Sequence, residues 1–266
     1  MSKVKNGFDS VPQYEADKKV HHLGINASQI APGVILTSNL ERTAVIAGTF
    51  DKAEQVGFHR EYITYTGEKY GVPMSAMSIG NGCMPTSIAV EELRHIGCRN
   101  MIKVGSCGAI QPDIEPGTIL VPTGAVRCEG ATVEYLNLQY PAVTDHETLF
   151  AIMDAARKRG KPIRTGIIRT HDALFLESPF AHDGMAERIR PWQELGVLAV
   201  DNEASALLAI AAILGSRAGC VYVVTDNYAT GKSIDFKTQY APLMRDAIDI
   251  AELALSEIVK AHGERQ

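Results

Sequence analysis

The chain has 266 residues, of which 45% are hydrophobic and 21% are charged. A chain of this composition can bury a full core, which excludes intrinsic disorder, a collagen-like repeat and a coiled coil. The 31 Asp and Glu residues outnumber the 26 Lys and Arg residues, giving a formal charge of -5. This balance disfavours a dedicated binder of nucleic acid or of anionic membranes, because both need a basic face.

The N-terminal segment lacks the apolar core of a signal peptide, and the sequence has no run of about 18 apolar residues. We therefore expect a cytoplasmic protein, with residues 1–20 as a polar extension and residues 21–266 as one domain. The five cysteines form no CxxC pair. We expect them to be reduced and mostly buried, with neither a disulfide framework nor a metal site.

Short β-branched runs alternate along the chain with longer helical patterns, which is typical of parallel strands joined by crossover helices. In chain order, the sequence predicts strands over residues 34–36, 72–79, 101–104, 118–122, 163–169, 197–200 and 220–225. It predicts helices over residues 86–96, 147–159, 203–214 and 240–261. Several strands are apolar on both faces. We expect a single α/β domain with a mixed, mostly parallel, twisted central sheet flanked by helices.

Glycine-rich stretches follow two of the predicted strands, where ligands bind in parallel α/β sheets. In residues 105–109, small side chains would let backbone N–H groups approach an anion, and Ser106 adds a hydroxyl. The alternative is a tight turn. Residues 80–87 run into a helix start, which suits an anion or a polar substrate. That stretch is neither GxGxxG nor a P-loop, so the common nucleotide-binding fingerprints are missing.

Polar residues follow two further predicted strands. Asp201, Asn202 and Glu203 lie between an apolar strand and an apolar helix. Burying a carboxylate is costly, so these residues would face a ligand or a counter-charge, unless Asp201 or Asn202 caps the helix. Asp226 and Asn227 follow the last strand, either at a binding site or as a turn pair.

Several motifs together resemble the nucleoside phosphorylases of the uridine phosphorylase and hexameric purine nucleoside phosphorylase type. They are TSIAVEELRHIG after a glycine-rich loop, KVGSCGAIQPDIEPGTILVP, FHREY, and an acidic-x-Glu triplet before an apolar helix. The resemblance runs over about residues 22–258. It implies transfer of phosphate to C1' of a nucleoside, with release of the base and formation of ribose 1-phosphate. Inorganic phosphate would be the co-substrate, with no other cofactor and no metal.

The resemblance also implies a phosphate site made of three cations, a hydroxyl and the residue at position 38. Ser38 stands where the family usually has a glycine, and Arg42 matches the family's first arginine. Arg60 matches an arginine that crosses from a neighbouring subunit. Lys103 stands where an arginine is usual, and it offers a point charge instead of a bidentate fork. Ser106 supplies the hydroxyl.

For ribose, the resemblance assigns Glu203 as the acceptor of hydrogen bonds from the 2'- and 3'-hydroxyls. Asn202 replaces the usual methionine under the sugar. His22 matches a histidine that reaches the 5'-hydroxyl across a dimer interface. An exposed tail histidine is the alternative for His22.

For the base, the resemblance points to Cys107, Gly108 and Asp226. The stretch VVTDN is similar to that of purine phosphorylases, whose aspartate donates a proton to purine N7, and Asp226 would be that acid. Lys237 would be its basic helper, in place of an arginine.

The identity of the base stays open. The sequence as a whole, including the stretch EYLNLQYPAV, resembles the sequences of uridine phosphorylases. However, Ser178 and Phe180 occupy the positions nearest to the glutamine and arginine with which those enzymes read uracil. Purine and pyrimidine nucleosides therefore both remain candidates.

Two other functions remain as alternatives. One is a nucleosidase of the same fold, in which water replaces phosphate. The other is a non-catalytic ligand-binding relative. The family resemblance further implies a homo-oligomer built from dimers, usually three of them in a hexamer, with nucleoside and phosphate as its ligands.

Overall fold

One mixed sheet forms the centre of the computed structural model, which describes residues 17–173 and 184–262. In the described part of the chain its strands are β1 (Gly33–Thr37), β2 (Lys52–His59), β3 (Tyr62–Lys69), β4 (Val72–Ser78), β5 (Asn100–Ala109), β6 (Ile119–Cys128), β7 (Ala142–Val143), β8 (Ile163–His171), β9 (Ala199–Asp201), β10 (Arg217–Asn227) and β11 (Lys232–Ser233). Their spatial order is β11-β10-β6-β8-β9-β5-β1-β4-β3-β2, with β7 paired to β6. An additional β5–β10 pairing closes the middle strands into a ring.

The pairings β1–β4, β1–β5, β5–β10, β6–β8 and β8–β9 are parallel. The hairpin β2–β3 and the contacts β3–β4, β5–β9, β6–β7, β6–β10 and β10–β11 are antiparallel. Between the strands run the described helices α1 (Leu40–Ala47), α2 (Cys83–His95), α3 (Ala131–Tyr135), α4 (His146–Lys158), α5 (Met185–Glu194), α6 (Ala204–Ile213) and α7 (Tyr240–His262). The predicted α/β class is confirmed. Over the described residues, no helix combines the length and apolarity needed to cross a bilayer.

Helices cover both faces of the sheet. On one face, α2 and α6 pack into a core that includes Leu93 and Leu207. On the other face, α4 and α7 pack through residues such as Ile152 and Leu255. The α6 sequence is apolar almost all round and, as predicted, the helix is interior. Four of the five cysteines are buried and Cys128 is half-buried, which agrees with the predicted reduced thiols.

Several strands extend further than the sequence predicts, and β5 and β10 are the two whose extensions form part of the site. Residues 105–109, predicted as a loop, are the second half of β5, because Gly108 and Ala109 pair with β9 on one side and with β10 on the other. The predicted turn pair of Asp226 and Asn227 likewise belongs to β10. The pairing of β10 with β5 shifts register between Val224 and Asp226, so Thr225 is an extra residue at the strand end.

The sequence analysis missed the β2–β3 hairpin and helix α1. Strand β2 is mostly exposed, so it lacks the apolar run that marks a buried strand. Helix α1 is only eight residues long. Val20 is 1% exposed and packs in the core, so the folded domain includes this residue of the predicted N-terminal extension.

Candidate active site

The carboxyl ends of the parallel strands surround a cavity of about 360 Å³. Its described lining comprises Ser38, Asn39, Arg42, Asn81, Ser106, Cys107, Gly108, His171, Val200, Asp201, Asn202, Glu203, Thr225, Asp226, Tyr228 and Phe236. Eight residues predicted for the site are among them: Ser38, Arg42, Ser106, Cys107, Gly108, Asn202, Glu203 and Asp226. The structure therefore brings together most of the predicted site residues at the expected edge of the sheet.

Arg42 brings a positive charge to one end of the cavity. Asn39 caps α1 by accepting the backbone N–H of Arg42 at 2.8 Å, which fixes the first helical turn. The guanidinium then donates through Nη1 to Thr37 Oγ1 at 3.0 Å and through Nη2 to the Tyr240 hydroxyl at 2.5 Å. Its Nε is buried without a partner. Among the described residues, no carboxylate forms an ion pair with this guanidinium, so its charge is available to an anion.

Hydroxyl groups lie at the same end of the cavity. Ser38 directly follows β1, and Ser106 is an exposed residue within β5. The strand pair β1–β5 brings these two segments side by side. One guanidinium and two hydroxyls are donors suited to the oxygens of an oxyanion.

Each oxygen of the Glu203 carboxylate has a different partner in the protein. It is 5% exposed, and its Oε1 accepts the backbone N–H of Gly82 at 2.9 Å. Its Oε2 lies 3.0 Å from Lys103 Nζ. The N–H of Gly82 at the start of α2 thus meets a protein carboxylate, where the sequence suggested an anion or a polar substrate. Each oxygen of an ionised carboxylate has two lone pairs, so Glu203 can still accept hydrogen bonds from a ligand.

The Asp201 carboxylate binds N–H groups at the start of the helix that follows it. Its Oδ2 accepts the backbone N–H groups of Glu203 at 3.1 Å and Ala204 at 2.8 Å. It also accepts the Tyr222 hydroxyl at 2.6 Å, while Thr170 Oγ1 donates to Oδ1 at 2.6 Å. Burial and the neighbouring Asp201 carboxylate raise the pKa of Tyr222 well above its usual range, so the phenol stays a donor. The N-cap residue of α6 is Glu203, so Asp201 binds the N–H groups at the helix start from two positions further back, while the Glu203 carboxylate meets a counter-charge.

Asn202 lines the cavity between these two carboxylates. Its Nδ2 donates to the backbone oxygen of His171 at 2.5 Å. This bond fixes the amide plane, with the donor end turned to the protein.

The other end of the cavity is aromatic and acidic. Asp226 is half-buried and accepts the Ser233 hydroxyl at 2.8 Å. The ring of Tyr228 lies against Gly108, where an added Cβ would be 2.4 Å from Tyr228 Cζ. Phe236 is another aromatic residue of the cavity lining, and burial raises the pKa of the Cys107 thiol, which stays neutral. An acid beside flat apolar surfaces suits an aromatic heterocycle.

Four predicted site residues do not line the cavity of this chain: His22, Arg60, Lys103 and Lys237. His22 Nδ1 lies 2.8 Å from Glu92 Oε1. Arg60 is exposed in the β2–β3 turn with a φ of 56°. Lys237 is exposed, and Lys103 is buried beneath the cavity with 1% exposure.

Sequence reasoning missed several lining residues. Tyr228 and Phe236 flank β11, and their aromatic character close behind the VVTDN stretch was the available signal. Asn81 lies in the glycine-rich stretch 80–87 that the sequence indicated as a possible binding loop, whereas His171 reaches the cavity through tertiary contacts that local sequence does not reveal. Ser178 and Phe180 lie outside the described residues. Within the described ranges, no cluster of three or more His, Cys, Asp or Glu residues could hold a metal ion.

Comparisons of the sequence and of the fold with known proteins all match phosphorylases. Residues 33–260 match the family model of the phosphorylase superfamily. The sequence is 36% identical over 230 residues to a uridine phosphorylase of Thermococcus kodakarensis, covering 83% of this chain and 82% of that protein. It is 32% identical over 235 residues to a guanosine phosphorylase of Halorubrum lacusprofundi, covering 88% of this chain and 95% of that protein. The crystal structure of a uridine phosphorylase from Vibrio fischeri matches with a TM-score of 0.83 at 27% identity, covering 92% of this chain and 100% of that chain.

Proposed function

Because the chain belongs to the phosphorylase superfamily and is a nucleoside phosphorylase, we propose that its cavity binds phosphate beside Arg42, ribose beside Glu203 and the base beside Asp226. The family predicted from the sequence motifs is confirmed by the family match and by the relatives at 36% identity.

The assignment of phosphate to one end of the cavity depends on the charge of Arg42, which has no carboxylate partner among the described residues. A guanidinium near the surface of a cavity, with no carboxylate partner among the described residues, attracts an anion. The hydroxyls of Ser38 and Ser106 add donors of the kind that phosphate oxygens accept. A guanidinium without a carboxylate partner in the described part of the chain is the observation that favours phosphorolysis over hydrolysis, because attack by water needs no cation at this position.

The chemistry follows from the order of the three subsites. A phosphate oxygen attacks C1' of the ribose, the C1'–N bond breaks, and its electron pair moves to the base. Glu203 holds the ribose hydroxyls so that C1' faces phosphate, which supplies the orientation part of the rate enhancement. If Asp226 is protonated, it gives its proton to the leaving base. Inorganic phosphate is the co-substrate, and these steps need no further cofactor.

For the base, Asp226 favours a purine ribonucleoside, because purine N7 can receive a proton as the bond breaks. A second candidate is uridine, which is favoured by the names of the relatives at 36% identity. A panel of inosine, guanosine, adenosine and uridine, with release of free base as the readout, separates the two.

The same panel run with and without phosphate tests the reaction class. We expect base release only with phosphate, together with ribose 1-phosphate in equal amount. Equal release in phosphate-free buffer would identify a nucleosidase, and no release from any nucleoside would favour a ligand-binding relative.

We also propose that neighbouring subunits complete each other's sites in a dimer-based homo-oligomer. His22 and Arg60 lie away from this chain's own cavity, and His59 connects them because its Nδ1 is 2.9 Å from the backbone oxygen of His22. His22 and Arg60 thus lie on the same surface of the subunit, from which their side chains could reach the site of a second subunit. Size-exclusion chromatography with activity assays on the fractions tests the sharing, since a fully active monomer would contradict it.

A further inference from the structure

Lys103 is a fully buried cation beneath the proposed ribose site. Its Nζ lies 3.0 Å from Glu203 Oε2 and 3.3 Å from the Tyr222 hydroxyl. It also lies 4.6 Å from the centroid of the Tyr222 ring. Lys103 is 1% exposed and does not line the cavity to which Arg42 brings its charge.

Gly105 makes room for this arrangement. Residues 103 and 105 lie on the same face of β5, since side chains alternate along a strand. A Cβ at Gly105 would stand 2.9 Å from Lys103 Nζ and 3.0 Å from Tyr222 Cε1. The ammonium therefore occupies the space that any larger residue at position 105 would need.

The charges around Lys103 balance locally. Burial alone lowers the pKa of Lys103, but the carboxylates of Glu203 and Asp201 outweigh this effect and raise it. The lysine stays charged, and it neutralises a carboxylate that would otherwise be buried without a cation.

We propose that Lys103 is a positioning residue for ribose and not a phosphate ligand. Its ammonium fixes the Glu203 carboxylate in the orientation that accepts the ribose hydroxyls, and Gly105 provides the space. This inference rests on the proposed role of Glu203. It replaces the role that family resemblance implies for Lys103, and it leaves Arg42 as the cation that this chain's described residues bring to the phosphate end.

The test measures the two Michaelis constants separately in Lys103→Met, which removes the charge and keeps an unbranched side chain. We expect KM for the nucleoside to rise about tenfold or more, as for loss of a charged hydrogen bond. KM for phosphate should stay within about twofold. Lys69→Met is the matched control, because Lys69 is a partly buried lysine that likewise lies near a glutamate, Glu252, but is outside the cavity lining. It should change neither constant.

Two further variants keep the test informative if Lys103→Met folds poorly. Gly105→Ala displaces the ammonium without removing it, and it should raise KM for the nucleoside alone. Lys103→Arg restores a cation and should recover part of the nucleoside affinity lost in Lys103→Met. An increase confined to phosphate, an equal increase in both constants, or no change in either would overturn the proposal.

The proposed function is checked first on the wild-type protein. If the wild type releases base without phosphate, phosphorolysis fails, but the role of Lys103 is still tested by KM for the nucleoside in that hydrolysis. If no nucleoside is cleaved, calorimetric titration of wild type and Lys103→Met with inosine, uridine and inorganic phosphate separates the two ligand classes. Weaker nucleoside binding with unchanged phosphate binding supports the proposal, and the reverse overturns it.

Discussion

The hydroxyl of Ser233 donates to Asp226 Oδ1 at 2.8 Å, across the antiparallel pairing of β10 with β11. These two residues are register partners, so the backbone of the sheet holds the hydroxyl against the carboxylate. A serine hydroxyl can donate to an ionised carboxylate and can accept from a protonated one. The pair therefore suits a group that changes its protonation state during a reaction.

Asp226→Asn should separate purine from pyrimidine substrates. The amide keeps the size of the side chain but has no transferable proton, and positioned acid catalysis is worth about 10²–10⁴ in rate. We expect a loss of that order for inosine or guanosine and a small loss for uridine, measured as kcat/KM. The exposed Asp113→Asn is the control and should leave both activities unchanged. If the wild type cleaves uridine, ignores purine nucleosides and tolerates Asp226→Asn, then Asp226 is only a structural partner of Ser233.

Arg42→Ala should mainly weaken phosphate binding. A hydrogen bond to a charged group is worth about 1.5–3 kcal/mol, so KM for phosphate should rise roughly tenfold to a hundredfold. KM for the nucleoside should change little, because ribose lies at a different part of the cavity. The surface variant Arg164→Ala, whose partner Asp113 is itself exposed, serves as control. An unchanged KM for phosphate in Arg42→Ala would show that this guanidinium does not bind phosphate.

Glu203→Ala should affect both catalysis and folding. Loss of the ribose contacts should lower kcat/KM roughly tenfold to over a hundredfold. The change also leaves the Lys103 ammonium buried without its partner, which costs about 3–5 kcal/mol of stability.

The double variant Lys103→Met with Glu203→Ala distinguishes these effects. It should recover much of the lost thermal stability but none of the activity. Unchanged kcat/KM in a folded Glu203→Ala protein would contradict the ribose assignment.

The raised pKa of the buried Glu252 carboxyl predicts that the stability of the folded protein depends on pH. Its carboxyl is 1% exposed, and burial raises its pKa from 4.5 to about 7, although Thr49 donates to it and Lys69 is near. The folded state thus holds this proton more tightly than the unfolded state does. The contribution is fully present below pH 4.5, falls as pH rises through about 7, and amounts to about 3 kcal/mol.

Glu252→Gln should remove this dependence. Urea denaturation at pH 5 and pH 8 should find the variant more stable than the wild type at pH 8, with a smaller difference or none at pH 5. Equal slopes of stability against pH in the two proteins would show that Glu252 does not titrate in this way.

The sequence predicted most of the elements that carry the cavity, because apolar strands and the apolar helix α6 have strong local patterns. Strand ends were harder to predict. The second half of β5 contains Gly105 and Gly108, which disfavour a strand locally, and only the pairing with β9 and β10 makes it one.

Contacts between distant residues explain the remaining differences at the site. Lys103 and Glu203 are separated by 100 positions in the sequence, and their ion pair depends on the pairing of β5 with β9, the strand that leads into α6. A motif shows only that a lysine replaces an arginine. The structure shows which group the lysine meets.

The irregular pairing at Thr225 bears on how readily the cavity can be altered. In a regular strand, successive side chains point to opposite faces. A residue that faces a binding site therefore has sequence neighbours that face the protein core. At the end of β10, Thr225 and Asp226 both line the cavity, while Tyr222 and Val224 stay packed in the core. Two adjacent positions therefore contribute to the cavity, where a regular strand would offer only every second one. We expect variation in base preference, natural or engineered, to concentrate there at little cost to folding.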